Sequence, residues 1–327
     1  MSQAQFTFDQ LTPDMLLDAL ESVGVRPESG LLPLNSYENR VYQFLADDQK
    51  RYVTKVYRPQ RWSAEQIQEE HDFAFELEEA EVPVVTPIKR DGESLFEHKG
   101  YAFALFPSVG GRSFEVDNWD QLEMAGRFLG RIHQIGSRKT FQHRPSMSLD
   151  EYLKKPRALL QQSDFIPSHL EQSFFTDLDF LITELTSRWQ DVDMIRLHGD
   201  CHPSNILWRD GPFFVDLDDA RNGPVVQDLW MMLSGDRQER TAQLDTLVEA
   251  YSEFHDFPTS QLPLLEVLRG MRMVYYMAWL ARRWQDPAFP RAFPWFADAK
   301  YWEGQVLGFK EQLAALQESP LSLSPQW

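Results

Sequence analysis

The chain has 327 residues, which is long enough for two lobes because single hydrophobic cores stop growing near roughly 250–300 residues. Its 50 acidic and 32 basic side chains give a net charge of −18, which argues against nucleic acid as a partner, since phosphate contacts need Lys and Arg. There is no apolar run of about 18 residues and no basic N-terminus leading into an apolar segment, so neither a membrane span nor a signal peptide is expected.

A helix followed by a small sheet is predicted for the first third of the chain. Thr12 is the expected N-cap of a helix that reaches Val23, with Pro13 in its first turn. Ser63 starts a second helix, with Gln66 as its capping-box partner. Strand-like segments surround this second helix, at residues 33–46, 50–57, 84–90, 93–98 and 101–107.

The pattern breaks at Pro-Ser-Val-Gly-Gly, which is predicted to form a hinge between two lobes. We expect an N-terminal nucleotide-binding lobe at 1–107, the hinge at 108–111, and a C-terminal catalytic and acceptor-binding lobe at 112–327. Beyond residue 117 the apolar period becomes helical, and helices are predicted at 118–137, 169–189, 225–233, 237–255, 262–285 and 300–317.

The most informative segment begins at Leu197, with the letters LHGDCHPSNILWRDGPFFVDLDDARNGPVVQDLW. A kinase catalytic loop has the pattern H-R-D-L-x-x-x-N, in which the Asp accepts the acceptor's proton and the Asn holds a metal ion. Asp200 and Asn205 have this spacing, and Gly199 stands where the pattern has Arg. We therefore predict Asp200 as the catalytic base and Asn205 as a metal ligand.

Apolar runs flank Asp210-Gly211, which indicates a β-hairpin. With these two residues as the loop, Asn205 would lie opposite Asp216, with Cβ atoms roughly 4.5–5.5 Å apart. Two oxygen-bearing side chains at this separation can share a hard cation, so Asp216 is predicted as a catalytic residue and metal ligand. Pro212 lacks an N–H for the ladder, and a wider loop would shift the register.

The other polar residues of this segment have structural as well as functional interpretations. His198 is expected to be a buried scaffold residue, and Asp228 an N-cap or an acid that braces the loop. Asp218 and Asp219 fit contacts to metal or substrate and equally fit a turn or salt bridges. Cys201, the only cysteine, is expected to be a packed thiol rather than a redox switch, and a single cysteine suits a reducing cytosol.

The segments HGDCHPSN (198–205) and VDLDDARNGPVVQDLW (215–230) resemble the aminoglycoside phosphotransferase and choline kinase superfamily, relatives of eukaryotic-type protein kinases. Stretches at 34–44, 106–112 and 274–284 extend the resemblance along the chain and are similar to its bacterial stress-response branch. The resemblance implies an α+β, bilobal protein-kinase-like fold, with a small antiparallel sheet and packed helix in the N-lobe and a larger, mainly helical C-lobe. It also implies a cytoplasmic kinase that uses ATP and Mg²⁺ to phosphorylate Ser and Thr of proteins.

Lys55 lies in a predicted strand, where V-A-I-K places the phosphate-binding lysine of protein kinases. Glu70 lies on the following helix near its apolar stripe and matches the ion-pairing glutamate of the family. We predict a Lys55–Glu70 pair that contacts the nucleotide, with Glu69 as the second choice of partner. Without the Asp200 motif, two surface charges would be the better interpretation.

No glycine-rich loop precedes Lys55, and the segment around Asn35 and Ser36 takes its place. Asn and Ser tolerate turn conformations and offer side-chain donors, so Ser36 is the first candidate phosphate contact, Asn35 the second and Arg40 the third. A polar hairpin tip explains the same residues equally well. Phe106 through Val109, at the hinge, are candidate contacts to the adenine base.

The sequence gives little information about the acceptor molecule. Only residues 220–224 separate the Asp216 region from the next helix, which suits a small-molecule kinase as well as a protein kinase. An aromatic set in the late helix and its sequel is interpreted as core, with a wall of the acceptor cleft as the alternative: Tyr275, Tyr276, Trp279, Trp284, Phe289, Phe293, Trp295 and Phe296.

Three functions fit the pattern, in a protein expected to be a monomer. The preferred one is a Ser/Thr protein kinase. The second is a kinase of a small hydroxylated metabolite such as homoserine, choline or an aminoglycoside-like compound, and the third is a nucleotide-binding scaffold without catalysis.

Overall fold

The computed structural model describes residues 7–324. The first long element is helix α1 (Pro13–Ser22), where Thr12 Oγ1 accepts a hydrogen bond from Met15 N at 3.2 Å, as its predicted N-cap role requires. Leu16 and Leu20 are buried on one face of α1 and belong to an apolar cluster shared with the sheet.

A five-stranded antiparallel sheet follows. Its strands are β1 (Leu32–Pro33), β2 (Arg40–Leu45), β3 (Arg51–Val56), β4 (Phe96–His98) and β5 (Tyr101–Pro107). They lie in the order β1-β2-β3-β5-β4. The predicted strand 33–46 is split, because residues 34–39 leave the sheet as a loop that carries Asn35 and Ser36. Lys55 lies on β3, opposite Val41 and Ala104.

The predicted strand at 84–90 is wrong. This segment forms only isolated bridges, from Val84 to Phe214 and from Arg90 to Glu93. Pro83 and Pro87 supply no N–H to a ladder, which prevents regular pairing in spite of the β-branched composition. Instead, the segment links the lobes, because Val85 N donates to Phe214 O at 3.1 Å.

Helix α2 (Ala64–Glu79) begins with the predicted capping box. Ser63 Oγ accepts from Gln66 N at 3.3 Å, and Gln66 Oε1 accepts from Ser63 N at 2.9 Å. Ile67 packs with residues of the sheet, whereas Phe73 and Leu77 belong to the main core of the C-terminal part. Helix α2 therefore contacts both lobes, and Glu70 lies between them.

The C-terminal part is mainly helical and contains two small sheets. The predicted helices are present within a few residues of their predicted ends, except that 225–233 contains only one turn of helix. The elements are β6 (Arg112–Ser113), α3 (Trp119–Gly136), α4 (Lys155–Gln161), α5 (Glu171–Arg188), β7 (Ile195–Leu197), β8 (Ile206–Trp208), β9 (Pro212–Phe214), β10 (Arg221–Gly223), α6 (Gln227–Trp230), α7 (Arg237–Tyr251), α8 (Leu265–Arg283), α9 (Ala288–Ala292) and α10 (Ala299–Gln317).

The architecture is α+β and bilobal, as predicted, with a small sheet and α2 on one side and the helical core on the other. Two short helices, α4 and α9, were not predicted, because each spans fewer than two full apolar repeats and contains a proline. Residues 108–111 form no helix or strand, and the division into lobes at these residues stays a prediction. Among residues 7–324, no helix combines the length and apolar character needed to span a membrane.

Candidate active site

Asp200 lies on a loop between β7 and β8, and a buried carboxylate fixes the backbone of this loop. Asp228 accepts hydrogen bonds from the backbone N–H groups of His198 and Gly199, each at 2.8 Å, and its Oδ2 lies 3.1 Å from His133 Nε2. Asp228 is thus the loop-bracing acid, and it lies inside α6 rather than at its N-cap. His198 is fully buried, with Nε2 2.9 Å from Val215 O, which agrees with the predicted scaffold position.

The backbone at position 199, where the kinase pattern has arginine, can accommodate only glycine. Gly199 has φ of +85°, a conformation that L side chains rarely adopt, and a Cβ there would run into the carbonyl oxygen of Asp219. The loop therefore approaches the Asp216 region more closely than it could with any other residue at position 199.

Cys201 is buried beside the loop. Burial raises the pKa of its thiol well above the ordinary value, and the charges of Asp228 and Asp200 raise it further. A thiol kept protonated and shielded from solvent is a poor nucleophile, which agrees with the packed-thiol interpretation.

The hairpin that follows has a different register from the predicted one. Trp208 pairs with Pro212, so the loop has three residues, and Asn205 lies opposite Val215 rather than Asp216. Pro212 closes this wider loop, in which Asp210 and Gly211 both have positive φ. Asp216 then takes a left-handed conformation, with φ 63° and ψ 65°, and its side chain is 52% exposed. Strained backbone of this kind in a non-glycine residue is typical of functional sites.

The structure brings Lys55 together with three carboxylates. Lys55 Nζ lies 3.5 Å from Glu70 Oε1, 3.0 Å from Asp216 Oδ1 and 3.2 Å from Asp218 Oδ1. Burial by itself lowers the pKa of Lys55, but the three carboxylates outweigh it and hold the pKa well above the ordinary value. Lys55 is therefore a fixed positive charge inside the cleft.

Glu69 is occupied elsewhere. Its carboxylate accepts backbone N–H hydrogen bonds from Gln142, His143 and Arg144 at 2.7 to 2.9 Å. Of the two neighbouring acids on α2, it is Glu70 that faces Lys55.

Asp218 and Asp219 form salt bridges, one of the interpretations left open by the sequence. Asp218 is buried and contacts Arg61, Lys55 and the Nδ2 of Asn39, the last at 3.0 Å. Asp219 Oδ1 lies 2.9 Å from Arg61 Nη2 and 2.6 Å from Arg221 Nη2.

Asp200 has two basic side chains as partners. Arg272 Nη1 donates to its Oδ1 at 2.7 Å, and His202 Nε2 lies 3.3 Å from its Oδ2. Burial by itself raises the pKa of Asp200, but His202 and Arg272 outweigh it and hold the pKa well below the ordinary value. The carboxylate is therefore ionised throughout the physiological range.

A cavity of about 380 Å³ lies between the sheet and the Asp216 segment. Arg40, the third candidate for a phosphate contact, does not line it and instead binds Asp286 at 2.7 and 2.8 Å. Ser108, part of the predicted adenine segment, does not line the cavity either, and its hydroxyl accepts a hydrogen bond from Gln43 Nε2 at 2.7 Å. The remaining residues predicted to bind nucleotide or metal line this cavity: Asn35, Ser36, Lys55, Glu70, Phe106, Pro107, Val109, Asn205 and Asp216.

A second cavity, of about 620 Å³, contains Asp200 and borders the first. Both cavities are lined by five of the same residues, Asn35, Ser36, Ser204, Asn205 and Asp216. Because one cavity holds Lys55 and the other Asp200, a group transferred from a molecule in one to a molecule in the other would cross the boundary formed by these five residues.

The predicted aromatic set divides among core, cavity wall and surface, since Trp295 is exposed. Phe289 and Phe296 are fully buried, as the core interpretation requires. The members that line the second cavity are Tyr275, Tyr276, Trp279 and Phe293.

The donor set at the junction of the cavities fits a hard cation. Asn205 Nδ2 donates to Asp200 O at 3.0 Å, which leaves its Oδ1 without a partner among the described residues. This amide oxygen and the exposed carboxylate of Asp216 are the ligand types that Mg²⁺ prefers. Residues 7–324 contain no group of three or more His, Cys, Asp or Glu side chains arranged to hold a metal ion, so phosphate oxygens and water would have to complete the coordination.

The family model of a phosphotransferase enzyme family matches residues 30–265. This chain belongs to the phosphotransferase enzyme family.

Relatives of this phosphotransferase extend over its full length. Stress response kinase A of Escherichia coli K12 is 56% identical over 328 residues, which cover 100% of both chains. Serine/threonine protein kinase RdoA of Salmonella typhimurium is 53% identical over 328 residues, again 100% of both chains. The resemblance predicted from the motifs is thereby confirmed, and the phosphotransferase is a kinase-type enzyme.

Solved structures share the fold at low sequence identity. A structure of amicoumacin kinase in complex with AMP-PNP and Ca²⁺ matches with a TM-score of 0.72 at 16% identity, covering 98% of this chain and 96% of that one. Choline kinase from Streptococcus pneumoniae matches with a TM-score of 0.61 at 14% identity, covering 92% and 98%. Similarity at this level shows the fold alone.

Sequence reasoning missed four arginines of the candidate site: Arg61, Arg144, Arg221 and Arg272. Arg144 comes from the loop after α3, and Arg272 from α8, each more than 50 residues from the carboxylate that it contacts. The only sequence signal was an arginine among the aromatic residues of the late helix, and nothing in the local pattern singles out Arg144.

Proposed function

We propose that this phosphotransferase is an ATP- and Mg²⁺-dependent kinase that phosphorylates Ser and Thr side chains of proteins in a cytoplasmic bacterial stress response. The observation that carries the choice of acceptor is the relative named as a serine/threonine protein kinase, which is 53% identical over the full length. The choice of chemistry rests on Lys55, Asp200, Asn205 and Asp216, which surround two adjoining cavities.

In this proposal the cavity of about 380 Å³ takes ATP. The segment from Phe106 to Val109 contacts the adenine, and the loop with Asn35 and Ser36 covers the phosphates. Lys55, held by Glu70, contacts the phosphates as a point charge, the role of the corresponding lysine in kinases. The solved kinase that contains AMP-PNP supports a nucleotide in a site of this fold.

Asn205 Oδ1 and the Asp216 carboxylate would hold Mg²⁺. When bound, the ion would supply positive charge against the negative charge that develops on the transferred phosphate. In the structure, Lys55 Nζ lies 3.0 Å from Asp216 Oδ1 and forms an ion pair with this carboxylate.

Asp200 acts on the acceptor. It orients the hydroxyl of Ser or Thr, whose oxygen forms a bond to the γ-phosphorus as the bond from that phosphorus to the β–γ bridging oxygen breaks and ADP leaves. Asp200 then takes the hydroxyl proton. Because His202 and Arg272 hold its pKa low, Asp200 is a weak base, and proton transfer comes late, after most of the P–O bond breaking. Positioning and electrostatics supply most of the catalysis.

A kinase of a small hydroxylated metabolite is the second candidate. Only residues 220–224 follow the Asp216 region before the next helical segment, and the acceptor cavity of about 620 Å³ has a size suited to a metabolite. Solved structures with this fold include an aminopropanol kinase and a choline kinase. A scaffold without catalysis would have no chemical need for Lys55, Asp200 and Asp216 together.

An acceptor screen with labelled ATP and Mg²⁺ distinguishes these candidates. Wild type and Asp200→Ala are assayed in parallel with bacterial protein extract and with a panel of small alcohols. We expect label on Ser or Thr of proteins, lost in the variant. Label on a small molecule alone would show that the acceptor is a metabolite and would leave the proposed chemistry unchanged. Transfer that does not depend on Asp200 would overturn the proposed mechanism.

A further inference from the structure

The acceptor cavity contains one accessible arginine among the described residues. Arg61, Arg221 and Arg272 all line it. The side chains of Arg61 and Arg221 are only 11% and 7% exposed, and both are bound to Asp219. The side chain of Arg272 is 39% exposed. An incoming acceptor would therefore meet the guanidinium of Arg272 first.

Arg272 has unused hydrogen-bond donors. Its Nη1 donates to Asp200 Oδ1 at 2.7 Å, and its Nε and Nη2 have no hydrogen-bond partner within residues 7–324. A guanidinium presents five N–H donors in a rigid fork, which lets one arginine hold two anions at once. Arg272 can therefore bind an anion of the acceptor and keep its bond to Asp200.

Apart from the Asn205–Asp216 junction proposed for Mg²⁺, the described residues of the cavity offer a cationic acceptor group no unpaired carboxylate. Each carboxylate that lines it already pairs with a basic side chain: Glu38, Asp200, Asp216, Asp218 and Asp219. A positively charged acceptor group would have to displace one of these partners and would lie beside Arg272, which costs free energy.

We propose that Arg272 selects acceptors that carry an anionic group, a carboxylate or a phosphate, next to the hydroxyl that is phosphorylated. This inference rests on the proposed Ser/Thr kinase function. One N–H of Arg272 fixes Asp200, and the remaining ones bind the acceptor's anion. The shared guanidinium places the acceptor hydroxyl beside the carboxylate that takes its proton.

A purely electrostatic role makes a different prediction. If Arg272 served only to keep Asp200 ionised, its loss would slow transfer to every acceptor by the same factor. A specificity role changes the ratio between acceptors, so the ratio is the quantity to measure.

The test uses peptide libraries with a central Ser in which one flanking position is fixed to Glu, phosphoserine, Gln or Lys. Wild type, Arg272→Gln and the control Arg269→Gln are compared at one fixed concentration of ATP and Mg²⁺. Arg269 lies on the same helix, is exposed, and within residues 7–324 forms an ion pair with Glu266 alone. We expect wild type and Arg269→Gln to prefer Glu or phosphoserine over Gln by about three- to tenfold, since charged hydrogen bonds at half-exposed sites are modest. In Arg272→Gln this ratio should fall to about one, because the positive charge and the forked guanidinium donors that bind the anion are gone.

Glu and phosphoserine libraries distinguish the two anion sources, and preference for either supports the inference. Equal labelling of Glu, Gln and Lys libraries by wild type would overturn it while leaving the proposed function intact. So would an acidic preference that persists in Arg272→Gln. Absence of label on every peptide and protein would overturn the proposed function and this inference together.

Discussion

Gly199 and Asp216 show how single backbone conformations shape the site. Gly199 has φ of +85°, and its missing side chain leaves room for the carbonyl of Asp219. Asp216 has φ of 63°, a conformation that costs of order 1–3 kcal/mol in a non-glycine residue. The two residues bring the Asp200 loop and the Asp216 segment into contact, which a protein-kinase arginine at position 199 would prevent.

Replacing Gly199 by Ala should therefore destabilise the fold by about 2–4 kcal/mol, because the new methyl group meets backbone and the positive φ is strained. Denaturant unfolding measures the change in the free energy of unfolding. Gly304→Ala is the matched control, since a Cβ there meets no atom within 4 Å and α10 should gain up to about 1 kcal/mol from the better helix former. Equal stability of the two variants would show that the close approach at position 199 is not needed.

At the scale of elements, helix α2 is tied to the segment after Asp216 by one buried arginine. Arg144 Nη2 donates to Glu70 Oε2 at 2.7 Å and its Nε to Gln66 O at 2.7 Å, both on α2. Its Nη1 donates to the carbonyl oxygens of Asp218 and Ala220, each at 2.9 Å. Glu70 thus stays beside Lys55 through contacts that need no long activation segment.

Arg144→Met should destabilise the protein by about 3–5 kcal/mol, because it leaves Glu70 short of one partner and two buried carbonyls without donors. Arg127→Met, which removes an exposed pair with Glu123 and Glu253, should cost less than about 1 kcal/mol. Thermal or denaturant unfolding of both variants measures the difference. A cost for Arg144→Met as small as that of the control would contradict the role of Arg144 in holding α2.

Elements with strong local signals were predictable, and those decided by tertiary contacts were not. The Ser63–Gln66 capping box located α2, and the spacing from Asp200 to Asn205 pointed to the loop that is proposed to be catalytic. The hairpin register was wrong by one residue, because Pro212 closes a three-residue loop rather than the favoured Asp-Gly turn. The contact of Arg272 with Asp200 joins positions 72 residues apart, and neither short-range spacing nor periodicity encodes it.

Across the whole molecule, ion pairs and a hydrogen bond join the segment around residues 37–40 and Arg58 to helix α8 and to the turn that follows it. Asp286 accepts hydrogen bonds from Arg40 and Arg58, and Glu38 accepts one from Trp279 Nε1 at 2.6 Å. Arg283 Nη2 lies 2.7 Å from Glu38 Oε1. These contacts fix the loop that continues from Ser36, so they hold one wall of the proposed nucleotide site against the C-terminal lobe.

Asp286→Asn should weaken binding of a non-hydrolysable ATP analogue by about two- to tenfold, because Arg40 loses its charged partner, Arg58 keeps only Glu38, and the loop is less fixed. High salt should reduce the difference from wild type, since partly exposed ion pairs are screened. Titration of both proteins at low and high salt measures this. Asp298→Asn, at an exposed N-cap that makes no side-chain cap hydrogen bond, is the control. Unchanged affinity for the ATP analogue in Asp286→Asn would contradict the conclusion that these ion pairs hold the loop in place.

The most direct test of the account compares nucleotide binding and phosphoryl transfer in Asp200→Asn and Asp216→Asn. We predict that Asp200→Asn binds Mg²⁺ and the ATP analogue like wild type but transfers phosphate at least about 100-fold more slowly, since it lacks the base. Asp216→Asn should lose the Mg²⁺-dependent part of nucleotide binding as well as transfer. Full transfer by Asp200→Asn, or Mg²⁺-dependent binding unchanged in Asp216→Asn, would contradict the division of roles between the two carboxylates.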